Sequence, residues 1–171
     1  ELFVHPSKAA ELFGRLVELG ATPCGLASRD SLRTEAGLPL YGQELAGHLD
    51  LNPADAGFAN YVKLWKPFFI GKAAYIAHEH QREAEIARFR MENKRARPAH
   101  EGDPVVDRRG RVIGIVTSCS IDSEGYQLGQ VYLKHDYRKQ DTEIGVFAGS
   151  GRSKPVTLKD LKLGGKAPMP E

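Results

Sequence analysis

Apolar positions change their spacing twice along the chain. Residues 1–4 read ELFV, a run of strand character, and after His5 and Pro6 the apolar residues Ala10, Phe13, Leu16 and Val17 recur at helical spacing. Ser7 is the expected cap of this helix and Gly20 its stop. A β–α unit is predicted, and its opening in mid-strand suggests a chain cut from a longer one, with partner strands upstream. A small apolar segment, CGLA, leads into residues 27–45, ASRDSLRTEAGLPLYGQEL. Ser28 or Asp30 is placed to cap a short second helix that Gly37 and Pro39 end, with Leu32 and Ala36 on its apolar side. Between Leu40 and Phe69 the pattern is irregular. Tyr61, Val62, Leu64 and Trp65 suggest a buried strand or helix edge there, and Gly71 opens a helix carrying Ala74, Tyr75 and Ala77.

From Glu85 onward the period is two. Ala87, Phe89 and Met91 alternate with Arg88, Arg90 and Glu92, as in a strand with one wet face. Arg97-Pro98 and Gly102-Asp103-Pro104 are breaks. VVDRRGRVIGIVTS then reads as a hairpin turning at DRRG, its second strand apolar on both faces; GQVYLKH and EIGVFAG pair across DYRKQD. Five or six short strands without an intervening helix predict a small closed antiparallel barrel or sandwich. The fold class is α+β, with an α/β layered part over residues 1–82, an antiparallel β-barrel over 83–160 and a mobile Gly/Pro-rich tail over 161–171.

Composition narrows the function. In 171 residues, 41% hydrophobic and 27% charged, there is room for one larger domain or two small ones. A formal net charge of +2 indicates no nucleic-acid partner, and no apolar run approaches the roughly 18 residues of a membrane span. Cys24 and Cys119, the two cysteines, form no disulfide framework, which fits a cytoplasmic protein; both read as small buried residues. His78 and His80 are two apart, on different helix faces, and read as solvent-facing; His5, His48, His100 and His135 lack spaced partners, so no metal site is indicated. KRARP (94–98) reads as a solvated turn and GSGRSK (149–154) as a Gly-rich hairpin end without phosphate-loop spacing. No Ser/His/Asp, HExxH or CxxC arrangement occurs, and no residue is assigned a catalytic role.

Arg29 stands out. A cation in the first turn of a helix opposes the macrodipole at a cost of about 0.3–1 kcal/mol, so it is not there for helix stability. It either pairs with Asp30 or an upstream acid, or it aims a guanidinium at a polar or anionic ligand.

CGLASRDSLRTEAGLPLYGQEL, KPFFIGKAA, GRVIGIVTS and the β-rich end, in this order, resemble the C-terminal half of the aminomethyltransferase family, the T-protein of the glycine cleavage system, over about residues 1–148. Similar modules occur in dimethylglycine and sarcosine dehydrogenases and in dimethylsulfoniopropionate demethylase. The resemblance implies the remainder of a ferredoxin-like α/β layered domain followed by the barrel, and a one-carbon transfer to tetrahydrofolate. It matches Glu1 and Arg29 to folate-contacting positions, with Asp30 and Glu35 as our inferred orienting neighbours of Arg29, and it raises a lipoyl carrier protein, the glycine cleavage H-protein, as a partner. The family's essential aspartate belongs to a region before the matched segments, so this chain alone is expected to be inactive. A folate-touching tyrosine near the family's C-terminus has no match, and TSCSID stands in place of the usual TSG with its following SP. Alternatives are a non-catalytic folate-binding module and the folate domain of a demethylase or dehydrogenase.

Overall fold

The computed structural model describes residues 2–148. Glu1, the GSGRSK stretch and the 161–171 tail fall outside the described residues. Contacts divide the chain into two units, Glu1–Asp30 and Ser31–Glu171.

In the first unit, residues 2–5 form no strand. Helix α1 spans Pro6–Glu18. Its cap is His5 rather than Ser7: Pro6 needs no N–H partner at the first helical position, so the helix begins there and His5 Nδ1 accepts from the Ser7 N–H at 3.4 Å. Gly20, at φ +96°, stops it, with the Gly20 N–H on Val17 O (2.9 Å) and the Ala21 N–H on Leu16 O (3.0 Å), a Schellman ending. The stripe that predicted α1 is solvent-facing, with Phe13 58% exposed.

Helix α2 spans Leu26–Glu35. It starts before both expected caps, and Ser28 Oγ donates instead to Gly25 O at 2.9 Å. Its end is as the glycine suggests. Gly37 adopts φ +73°, the Gly37 N–H binds Thr34 O (3.0 Å) and the Leu38 N–H binds Arg33 O (2.8 Å).

Helix α3, Lys72–Glu79, follows the left-handed Gly71. The segment before it is not the buried edge that its aromatics suggested: Tyr61 is 74% and Trp65 78% exposed. Hydrogen bonds shape it instead, with Lys72 Nζ donating to Leu64 O (2.8 Å) and Lys66 O (2.5 Å).

The β-rich part is one antiparallel sheet. Its strands are β1 (Ala84–Arg90), β2 (Pro104–Val106), β3 (Val112–Ile121), β4 (Gln127–Lys134) and β5 (Gly145–Val146), in the order β1-β4-β3-β2-β5. Phe89 is buried and Arg88 and Arg90 are exposed, following the alternation in the sequence. The hairpin turns at Asp107–Gly110, where the Gly110 N–H binds Asp107 O at 2.9 Å.

The first half of β3, Val112–Val116, is apolar on both faces, and both faces are covered. One cluster holds Phe89, Val105, Val116, Val131 and Leu133; the other holds Leu49, Leu51, Ala84, Ile115 and Tyr132. Among the described residues the sheet is open, with β1 and β5 as its edges, so the closed barrel is not formed by them. Nor is a ferredoxin-like sheet formed within residues 2–82, where only the isolated bridges Tyr41–Leu45 and Ala46–Leu51 occur.

Candidate functional site around the second helix

The two arginines of RDSLR lie one helical turn apart and have opposite environments. Arg29 is exposed, and its guanidinium makes no hydrogen bond or ion pair among the described residues. The salt bridge to Asp30 or to another acid is therefore absent there. Glu35, expected to orient Arg29, accepts from Ser123 Oγ at 3.3 Å. Glu1, the other matched position, lies outside the described residues.

Arg33 is buried at 8% exposure, and Glu44 is fully enclosed. Arg33 Nη1 donates to Glu44 Oε2 at 2.9 Å, while Nη2 donates to Gln43 Oε1 and Ser118 Oγ, each at 2.9 Å. Glu44 Oε2 also accepts the Leu40 N–H at 3.0 Å, and Ser118 Oγ donates to Oε1. A charge moved out of water is tolerated only when its partners replace the lost hydration, and these contacts do so. Ser118 reaches the pair because the β3–β4 register shifts between Val116 and Ser118, a bulge that re-aims the side chain. Ser31 Oγ and Ser120 Oγ, 2.6 Å apart, and the Gln130 Nε2 donation to Leu38 O at 3.0 Å add further ties. The C-terminal turn of α2 is thereby fastened to the sheet.

The Arg33–Glu44 partnership was missed from sequence. Residues 40–69, which include Gln43 and Glu44, follow no period. The one available signal was a glutamate in an apolar context, eleven residues past an arginine on a helix face.

Histidine environments also differ from expectation. His78 is not simply solvent-facing: its Nε2 lies 2.9 Å from Oδ2 of the fully buried Asp55. His48 faces Glu101 at 3.9 Å and His135 faces Glu85 at 3.8 Å, partners far apart in sequence. Among the described residues no group of three or more His, Cys, Asp or Glu is placed to hold a metal ion. Cys24 is exposed rather than buried. Cys119 is half-buried, with Sγ 2.7 Å from Ala99 O.

A family model, the GCVT N-terminal domain, matches residues 1–66, the stretch that carries both arginines and Glu44. The aminomethyltransferase of Saccharopolyspora erythraea is 38% identical over 168 residues, covering 94% of this chain and 44% of the relative. That of Herpetosiphon aurantiacus is 37% identical over 164 residues, covering 95% and 44%.

The chain belongs to the aminomethyltransferase family.

The crystal structure of the glycine cleavage system aminomethyltransferase T from Bartonella henselae superposes with a TM-score of 0.71 at 28% identity, covering 82% of this chain and 39% of that one. The mixed helix and antiparallel-sheet architecture is thus an aminomethyltransferase architecture. The chain spans a little under half the length of these relatives, at 44% of the Saccharopolyspora and Herpetosiphon proteins. No helix among the described residues is long and apolar enough to cross a membrane.

Proposed function

We propose that this chain is the folate-binding rear portion of a cytoplasmic aminomethyltransferase of the glycine cleavage T-protein type, which passes a one-carbon unit to tetrahydrofolate. The observation that carries the reading is the contrast on α2. Arg33 is buried on Glu44, whereas Arg29 stands exposed with no partner among the described residues. An unpaired guanidinium in a first helical turn, where it gains nothing from the helix, is suited to a ligand's acceptor atoms. Glu1 would be the second folate contact, its carboxylate accepting from the pterin N–H edge.

On this reading the rest of the protein supplies the transfer aspartate, the strands that complete the ferredoxin-like layer and the barrel, and the surface that receives a lipoyl carrier protein. The division at about residue 82, with a second domain over 83–160, belongs to the same proposal. Support for a missing portion comes from the apolar residues left in water: Phe13 is 58%, Leu32 67% and Leu26 87% exposed. Folate supplies the nitrogen that takes up the one-carbon unit; the contribution of this chain is to bind and orient it.

The test is calorimetric titration of tetrahydrofolate into the full-length protein, as wild type and as Arg29→Ala. Loss of a charged hydrogen bond weakens binding by about 1.5–3 kcal/mol, roughly 10- to 150-fold. Absence of wild-type binding, or equal affinity in a folded Arg29→Ala protein, would overturn the proposal.

A further inference from the structure

The turn between β2 and β3 carries chemistry that the folate reading does not use. Asp107, Arg108, Arg109 and Arg111 line a concave site of about 460 Å³ together with Tyr137, Thr142 and Glu143. The site is open to solvent, with Arg108, Arg109, Arg111 and Glu143 exposed.

The site is built around an engaged carboxylate. Asp107 Oδ1 accepts the backbone N–H groups of Arg109 (2.8 Å) and Arg111 (2.9 Å), and Oδ2 accepts Arg111 Nε (2.8 Å) and the Tyr137 hydroxyl (3.2 Å). These four donors fix the turn and occupy the aspartate. Arg108 pairs with Glu143. Thr142 Oγ1 donates to Lys139 O at 2.6 Å, beside Asp141 in a left-handed conformation (φ +63°) uncommon outside glycine.

Arg109 is left over. Arg109 lines the site, and its side chain makes no hydrogen bond or ion pair among the described residues. Three guanidiniums against two carboxylates give the site a net positive charge, and both acids already have partners. A guanidinium fork matches the paired oxygens of phosphate and carboxylate. Attraction to this net positive charge grows in proportion to the charge on the ligand, so a dianion is favoured over a monoanion.

We propose that this cavity binds a dianionic oxyanion group, a phosphate ester or a dicarboxylate, gripped by the Arg109 guanidinium with Arg108 and Arg111 completing the positive wall. The site is independent of Arg29 and of folate.

The experiment is an amide chemical-shift titration of the full chain at low ionic strength, with inorganic phosphate and, separately, succinate. Saturable shifts at Arg108–Arg111 are expected, with a dissociation constant on the order of 1 mM. In Arg109→Ala, whose side chain has no partner to lose among the described residues, affinity falls at least roughly tenfold with the fold checked by the amide spectrum, while Arg109→Lys, keeping charge without the fork, is intermediate. A response to phosphate alone identifies a phosphate ester, and one to succinate alone a dicarboxylate. Arg29→Ala leaves the titration unchanged, so this test stands apart from the folate one. No saturable shift with either dianion, or equal affinity in Arg109→Ala, overturns the proposal.

Discussion

Replacing Glu44 by glutamine tests whether the Arg33–Glu44 pair holds α2 to the sheet. The substitution keeps the shape of the side chain and an oxygen for the Leu40 N–H, but it leaves the Arg33 cation facing a neutral group. Both side chains are enclosed, at 9% and 0% exposure, so water cannot restore the lost interaction. Breaking a buried pair from one side costs about 3–5 kcal/mol, against about 0–1 kcal/mol for an exposed one. The assay is urea unfolding followed by far-ultraviolet circular dichroism, with the midpoint and slope compared between wild type and variant. Adding Arg33→Met removes the buried cation as well, and the double variant is expected to recover at least about 2 kcal/mol of the loss as coupling energy. Because the pair is shielded, the loss should persist at high salt. A cost below about 1 kcal/mol, or no coupling in the double variant, would show that Arg33 and Glu44 behave as a surface pair and would remove the anchoring role assigned to them.

Arg29→Ala should change stability by less than about 0.5 kcal/mol in the same assay, since the side chain has no partner to lose among the described residues; a larger drop would return Arg29 to a structural role. Gly129→Ala should destabilise by about 1–3 kcal/mol, because an added Cβ would sit 2.3 Å from Ser118 O and 2.5 Å from the Phe89 ring. A neutral result in urea unfolding would mean that β3 and β4 are not this closely apposed. The Asp107 carboxyl is held down to about 2, chiefly by the Arg111 backbone N–H, against an ordinary 3.8. A depressed carboxyl stabilises the fold above the unfolded value and loses that contribution as pH falls through the folded one, so the turn should remain ordered at pH 4 and loosen towards pH 2. Carboxyl-carbon NMR of Asp107 checks this, and a midpoint near 3.8 would refute it. Burial pushes the Tyr132 phenol up to about 12, so phenolate absorbance from this residue should be missing at pH 10.5 and its protection lost as the pH approaches 12.

The helix ends were legible because they rest on local chemistry. Gly20 and Gly37 adopt the left-handed conformation that a Schellman ending requires, and only glycine does so without strain. The helix starts were less legible, since Pro6 outweighed Ser7 and α2 began ahead of its candidate caps. Apolar character also misled between Tyr61 and Trp65. A hydrophobic side chain says that it favours burial, but not whether this part of the chain contains the surface to bury it. Arg29 could be singled out from sequence because its conflict with the helix dipole is local, whereas the role of Arg33 depends on a glutamate and a serine brought in by folding.

By itself the sequence determined the local rules: where glycine stops α1 and α2, where period two begins, where the DRRG turn falls, and that Arg29 needs a reason to be where it is. Tertiary structure decided which charges are enclosed and which are free. It placed Glu44 under Arg33, Asp55 under His78 and Glu143 across from Arg108. Local conformation is set by neighbours within a few residues and can be read from them. Burial and charge pairing join positions tens of residues apart, and no period in the sequence encodes those meetings.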